Sequence, residues 1–103
     1  MSSHLVEILL PVRTGNGELV TPARFEELLH ELTDRFGGAT SFVRAPGRGL
    51  WAIGGDVERD NIAVIEVMTD ELDRPYWKAL RLKLERELSQ EEIVIRAQEI
   101  SRL

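Results

Sequence analysis

Apolar and polar positions along the chain follow two rhythms, one of strands and one of helices. Leu5 to Val12 is a short aliphatic run that suits a strand, with Pro11 near its end because proline cannot serve an interior ladder. Pro22 to Phe36 switches to helical spacing. Phe25, Leu28, Leu29, Leu32 and Phe36 share one side, and Glu26, Glu27, Glu31 and Arg35 take the other. Thr21 offers an N-cap hydroxyl, Pro22 a preset first turn, and Gly37 a C-terminal stop. Ala39 to Met68 reads as two strands joined by glycine-rich turns. Thr40, Phe42 and Val43 begin a strand that Pro46-Gly47-Arg48-Gly49 interrupts and Leu50-Trp51-Ala52-Ile53 resumes. After Gly54-Gly55-Asp56, the stretch Ile62 to Met68 is nearly all aliphatic and reads as a central strand.

A second helix is expected over Asp73 to Leu88, with Asp73 as cap and Trp77, Leu80, Leu84 and Leu88 as its inner stripe. Glu31-Arg35, Arg81-Glu85 and Lys83-Glu87 are spaced to pair within their helices. Glu91 to Arg96 reads as a last short strand, and Gln98 to Leu103 as a tail without an assigned element. The order, βαββαβ, predicts an α+β domain of the ferredoxin-like split βαβ plan. That plan is an antiparallel four-stranded sheet, in strand order 4-1-3-2, with two helices on one face. Residues 1–103 are expected to form this single domain, and the plan names an architecture without a chemistry.

Strand alternation then sorts the sheet's two faces. Placing Val6, Ile8, Leu10, Ala63, Ile65, Val67, Ile93 and Ile95 toward the helices keeps Glu7 and Glu66 out of the core, where an unpaired carboxylate is costly. The outward face then carries Leu5, Leu9, Ile62, Val64, Met68 and Val94 around Glu7, Glu66 and Arg96. A one-sided antiparallel sheet is normally polar there. So apolar a surface predicts an interface, most simply a homodimer packed through this face.

Composition narrows the chemistry. With no cysteine, disulfides, thiolate metal sites and cysteine nucleophiles are excluded, and a reducing compartment is consistent. A net charge of −5 argues against nucleic acid. Glu7 interrupts the first apolar run and no basic segment precedes it, so no secretory signal is read; no run approaches the ~20 residues of a membrane span. The expectation is a cytoplasmic protein. Gly15-Asn16-Gly17 has neither the spacing nor the lysine of a phosphate loop and reads as a hairpin corner. Two histidines, His4 and His30, make no metal pair, and no serine elbow is present. No cofactor is called for. One constellation remains: Glu7, Glu66 and Arg96, with Trp51 and Trp77 as the aromatic residues available to line a ligand site. Its plainer meaning is an ion-pair network that sets the register of the dimer.

Arg35-Phe36-Gly37-Gly38-Ala39-Thr40, Gly49-Leu50-Trp51, Leu72-Asp73-Arg74 and Gln90 through Ile100 together resemble a family of small, uncharacterised bacterial proteins of about this length. The resemblance covers nearly the whole chain and implies a bacterial, cytoplasmic, single-domain protein, with no catalytic residues to carry over. The residues leave two functional expectations. The first is a non-enzymatic homo-oligomeric assembly module. The second is a small-molecule binder or enzyme of the dimeric α/β-barrel type, with its site near the open sheet face.

Overall fold

The computed structural model describes residues 2–38, 40–44 and 62–103. Its elements are β1 (Ser2–Pro11), α1 (Pro22–Phe36), β2 (Thr40–Arg44), β3 (Ile62–Thr69), α2 (Arg74–Glu87) and β4 (Val94–Ser101). The strands lie in the order β2-β3-β1-β4, each antiparallel to its neighbour. β1 pairs along nearly its whole length with β3 and with β4, whereas β2 adds a strip of five residues beside β3.

The complete ferredoxin-like split βαβ expectation needs correction. The body of the sheet is the three-stranded unit β3-β1-β4, not four comparable strands. The expected resumption at Leu50-Trp51-Ala52-Ile53 lies outside the described residues. The last strand does not occupy Glu91–Arg96; it starts at Val94 and takes in most of the segment read as a tail. Two physical reasons shift it. The Ile93 N–H is taken by the Glu85 carboxylate at 2.9 Å rather than by the ladder. Beyond Arg96, an edge strand largely exposed to water has no need of an apolar run, and Gln98, Glu99 and Ser101 give none. The class carried forward is α+β, an antiparallel sheet with two helices.

The helices form where spacing and caps place them. Thr21 accepts from the Arg24 N–H, and Gly37 closes α1 in the left-handed conformation at φ 83°. Asp73 caps α2 by accepting from the Tyr76 N–H at 3.1 Å. At its far end α2 finishes in a Schellman motif: the Ser89 N–H donates to the Arg86 carbonyl and the Gln90 N–H to that of Glu85. Ser89 holds the left-handed position, at φ 53°, where glycine is usual.

Val6, Ile8, Leu10, Ala63, Ile65 and Val67 meet Leu28 and Leu32 of α1 and Trp77, Leu80 and Leu84 of α2 in one core. Both helices therefore cover the same side of the sheet. They run antiparallel and are laced across their seam. Arg24 reaches Glu87 at 3.3 Å, Lys83 approaches Glu31 at 3.8 Å, the Tyr76 hydroxyl donates to Glu31 at 2.9 Å, and Arg35 reaches Asp73 at 3.0 Å. Of the three pairs expected within helices, Arg81–Glu85 forms at 3.0 Å. Glu31, Arg35, Lys83 and Glu87 take partners on the neighbouring helix instead. Burial, and then the bond to Glu31, hold the Tyr76 phenol well above its ordinary pKa.

Glu85 latches the connection from α2 to β4. The Ile93 N–H holds its carboxyl below the ordinary value of 4.5; burial opposes this, and Arg81 adds to the lowering. A carboxyl whose folded-state pKa is lowered contributes stability above its ordinary pKa and loses it as pH falls through the folded value. Glu85→Gln should therefore lower the urea midpoint at neutral pH, and the gap from wild type should close below pH 4.5. Denaturation curves taken down through that range check it; a gap that persists unchanged into acid would show that Glu85 acts by packing alone.

Candidate functional site

On the outward face, β1 sets its odd-numbered side chains between two neighbours. Glu7 lies opposite Glu66 on one side and Arg96 on the other. Leu9 lies between Val64 and Val94, and Leu5 between Met68 and Gln98. Cross-strand neighbours stand close enough for side chains to meet, and Arg96 Nε donates to Glu7 Oε1 at 3.0 Å. The Glu7 side chain is 12% exposed and that of Arg96 51%, so the pair is anchored at the carboxylate and open at the guanidinium. The face is uneven. Val64 is completely buried, while Met68 and Val94 are 52% and 42% exposed.

Three of the five sequence-predicted site residues, Glu7, Glu66 and Arg96, thus fall in one row across three strands, with side-chain contact between Glu7 and Arg96. Trp77 does not join them. It is 5% exposed in the core on the opposite side of the sheet, stacked on Phe36 with ring centroids 5.1 Å apart. Its place in the stripe with Leu80 and Leu84 carries it there, away from Glu66. Trp51 lies outside the described residues. Beside Glu66 is an open hollow of about 350 Å³, bordered by Leu5, Phe36, Met68 and Arg102, rather than an enclosed cavity.

His30 is a surface side chain 3.4 Å from Asp34, as a solvated helix edge implies. His4 is half-buried in β1, and its buried Nδ1 finds no partner. Among the described residues, no group of three or more histidine, aspartate or glutamate side chains is placed to hold a metal ion, and no helix is long and apolar enough to cross a membrane. Gly15-Asn16-Gly17 is the corner of a hairpin arm closed by an Arg13–Leu19 bridge. The arm packs against the end of α2, where the Gly15 N–H donates to the Leu88 carbonyl at 2.9 Å.

Reading charges in pairs along the sequence missed one feature. Arg74, Lys78 and Arg81 recur at i, i+4 and i+7, which sets all three on one face of α2 beside β4. Comparison of the chain with protein-family models, with curated proteins and with solved structures finds no match. Any functional reading therefore rests on the chain's own residues and their geometry.

Proposed function

We propose that the protein is a non-enzymatic assembly module that pairs with a second copy of itself through the outward face of the sheet. The observation that carries this reading is the charge row Arg96–Glu7–Glu66, flanked by the exposed apolar side chains of Met68 and Val94. A two-fold axis parallel to the strands reverses their order across the seam. Arg96 of each copy then faces the carboxylate of Glu66 in the other, while each Glu7 keeps its own Arg96. The two ends of the row are thus complementary under the commonest symmetry of soluble assemblies, and the two Glu7 carboxylates that meet at the axis are each neutralised by their own Arg96. Charges arranged this way fix register more than they add affinity, and the exposed side chains of Met68 and Val94 on either side supply apolar area to bury. The hollow beside Glu66 is open and Trp77 lies in the core on the other side of the sheet, so Trp77 lends the small-molecule reading no support at this face. The resemblance to small bacterial proteins extends the proposal to a bacterial, cytoplasmic setting.

Light scattering and native mass spectrometry over a dilution series test it. The expected species has twice the 11.7 kDa mass of the chain. Val94→Asp and Met68→Asp alter exposed positions and should leave the fold intact. Each should weaken the dimer at least about a hundredfold, the scale of placing an unpaired charge in a seam. A wild-type monomer at every concentration, or a dimer indifferent to both changes, would overturn the reading.

A further inference from the structure

β4 is an edge strand, and α2 runs beside it on the helix-covered side. Between them lies a groove of about 400 Å³, within the range of small-ligand sites. Arg74, Lys78 and Arg81 form its α2 wall, one cation per turn of helix. Its apolar lining comes from Leu72, Ile95 and Ala97, with the buried Trp77 and Val6 at its base. Among the described residues no carboxylate lines it, although the whole chain carries a net charge of −5. Arg96 also borders the groove, but its guanidinium is turned to Glu7 on the other face.

The three wall cations differ in what holds them. Arg81 is tied to Glu85, which is itself fixed by the Ile93 N–H, so its charge is partly balanced and its position set. No ion pair among the described residues engages Arg74 or Lys78, and both are exposed. Elsewhere on the two helices Arg24, Arg35 and Lys83 are laced to acids, to Glu87, Asp73 and Glu31 in turn, while Arg86, outside the groove, has no ion pair among the described residues. A concave site with cations on one wall and aromatic and branched side chains beneath concentrates positive potential over an apolar floor.

We propose that this groove binds a small amphiphilic organic anion, its acid group held by Arg74 and Lys78 and its apolar body laid against Leu72, Ile95 and Ala97, above the buried Trp77. A carboxylate, sulfonate or phosphate satisfies the charge requirement equally. The apolar body distinguishes the ligand from inorganic anions, which the floor does not favour. The site lies on the opposite side of the sheet from the dimer seam, and the two proposals stand or fall separately.

The test is an NMR titration of the full ¹⁵N-labelled chain with 1-anilinonaphthalene-8-sulfonate, an aromatic anion, and with N-phenyl-1-naphthylamine, its uncharged relative. The sulfonate should shift amides of α2 and β4 together with the Trp77 indole resonance, and should bind at least about tenfold more tightly than the neutral compound. Replacing both exposed cations (Arg74→Gln with Lys78→Gln) should weaken the sulfonate about tenfold or more and leave the neutral compound unchanged. Arg86→Gln removes one charge from the same helix outside the groove and should change neither. Equal affinity for the two compounds, shifts confined to the outward sheet face, or an unaltered affinity in the double variant would each overturn the assignment.

Discussion

Trp77→Ala should lower the stability of the domain by roughly 3–5 kcal/mol, a large part of the 5–15 kcal/mol that holds a typical domain together. Trp77 is 5% exposed and belongs to the core shared by both helices and the sheet. Its ring lies 9° from parallel with Phe36 at 5.1 Å, and Tyr76 meets it edge-on at 5.1 Å. Phe36 ends α1 and Trp77 sits in the first turn of α2, so the stack ties opposite ends of two antiparallel helices together. Truncation removes the largest core side chain among the described residues and both aromatic contacts, each worth about 0.5–1.5 kcal/mol beyond area burial.

Trp77→Phe separates packing from polarity. The indole N–H is buried without an acceptor, and an unsatisfied buried donor costs about 1–3 kcal/mol. Phenylalanine keeps the stack with Phe36, loses volume and removes that donor. The two effects oppose each other, and the net cost should stay under about 1.5 kcal/mol. Urea unfolding followed by far-ultraviolet circular dichroism checks both variants without relying on tryptophan emission. If phenylalanine proves as damaging as alanine, the indole N–H has a partner in solution and its orphan state is wrong.

What the sequence made legible is what local chemistry determines. Thr21, Pro22 and Gly37 delimit α1 because capping needs only neighbours in the chain. The face assignment of β1 and β3 comes from one energetic rule, that Glu7 and Glu66 stay out of the core, and it places Arg96 beside Glu7. Illegible features depend on what packs alongside. Glu31 is spaced to pair with Arg35, but an antiparallel neighbour brings Tyr76 and Lys83 to the first and Asp73 to the second. The end of β4 carries no hydrophobic signal because its edge position demands none. Trp77 belongs by spacing to the core stripe of α2, which is incompatible with a place beside Glu66. The basic wall of the groove becomes visible only when α2 is set against β4.

Gly15→Ala should cost about 3 kcal/mol, the upper part of the usual range for forcing atoms into filled space. A β-carbon at Gly15 would overlap the Ser89 carbonyl oxygen and stand 2.9 Å from its carbon. Both obstructing atoms are backbone, in the Schellman turn that ends α2, and no side-chain rotation clears them. The hairpin arm must then lift away. Doing so breaks the Gly15 N–H bond to the Leu88 carbonyl at 2.9 Å and the bond from Gln90 Nε2 to the Arg13 carbonyl at 3.1 Å. Gly17 supplies the contrast. It has φ 84° but nothing within 4 Å of an added β-carbon, so Gly17→Ala should cost only the left-handed backbone penalty of about 1–2 kcal/mol. Ser89→Gly should act in the opposite sense, because glycine relieves the positive φ at the turn the arm packs against. Hydrogen exchange gives the sharper readout. The clasped end of α2 leads directly into β4, so Gly15→Ala should hasten exchange at β4 amides paired with β1 more than at those joining β1 to β3. If Gly15→Ala costs no more than Gly17→Ala and exchange rises uniformly, the arm is not docked on the helix end. In that case β4, with the Arg96 it carries to both the seam and the groove, is held by its ladder to β1 alone.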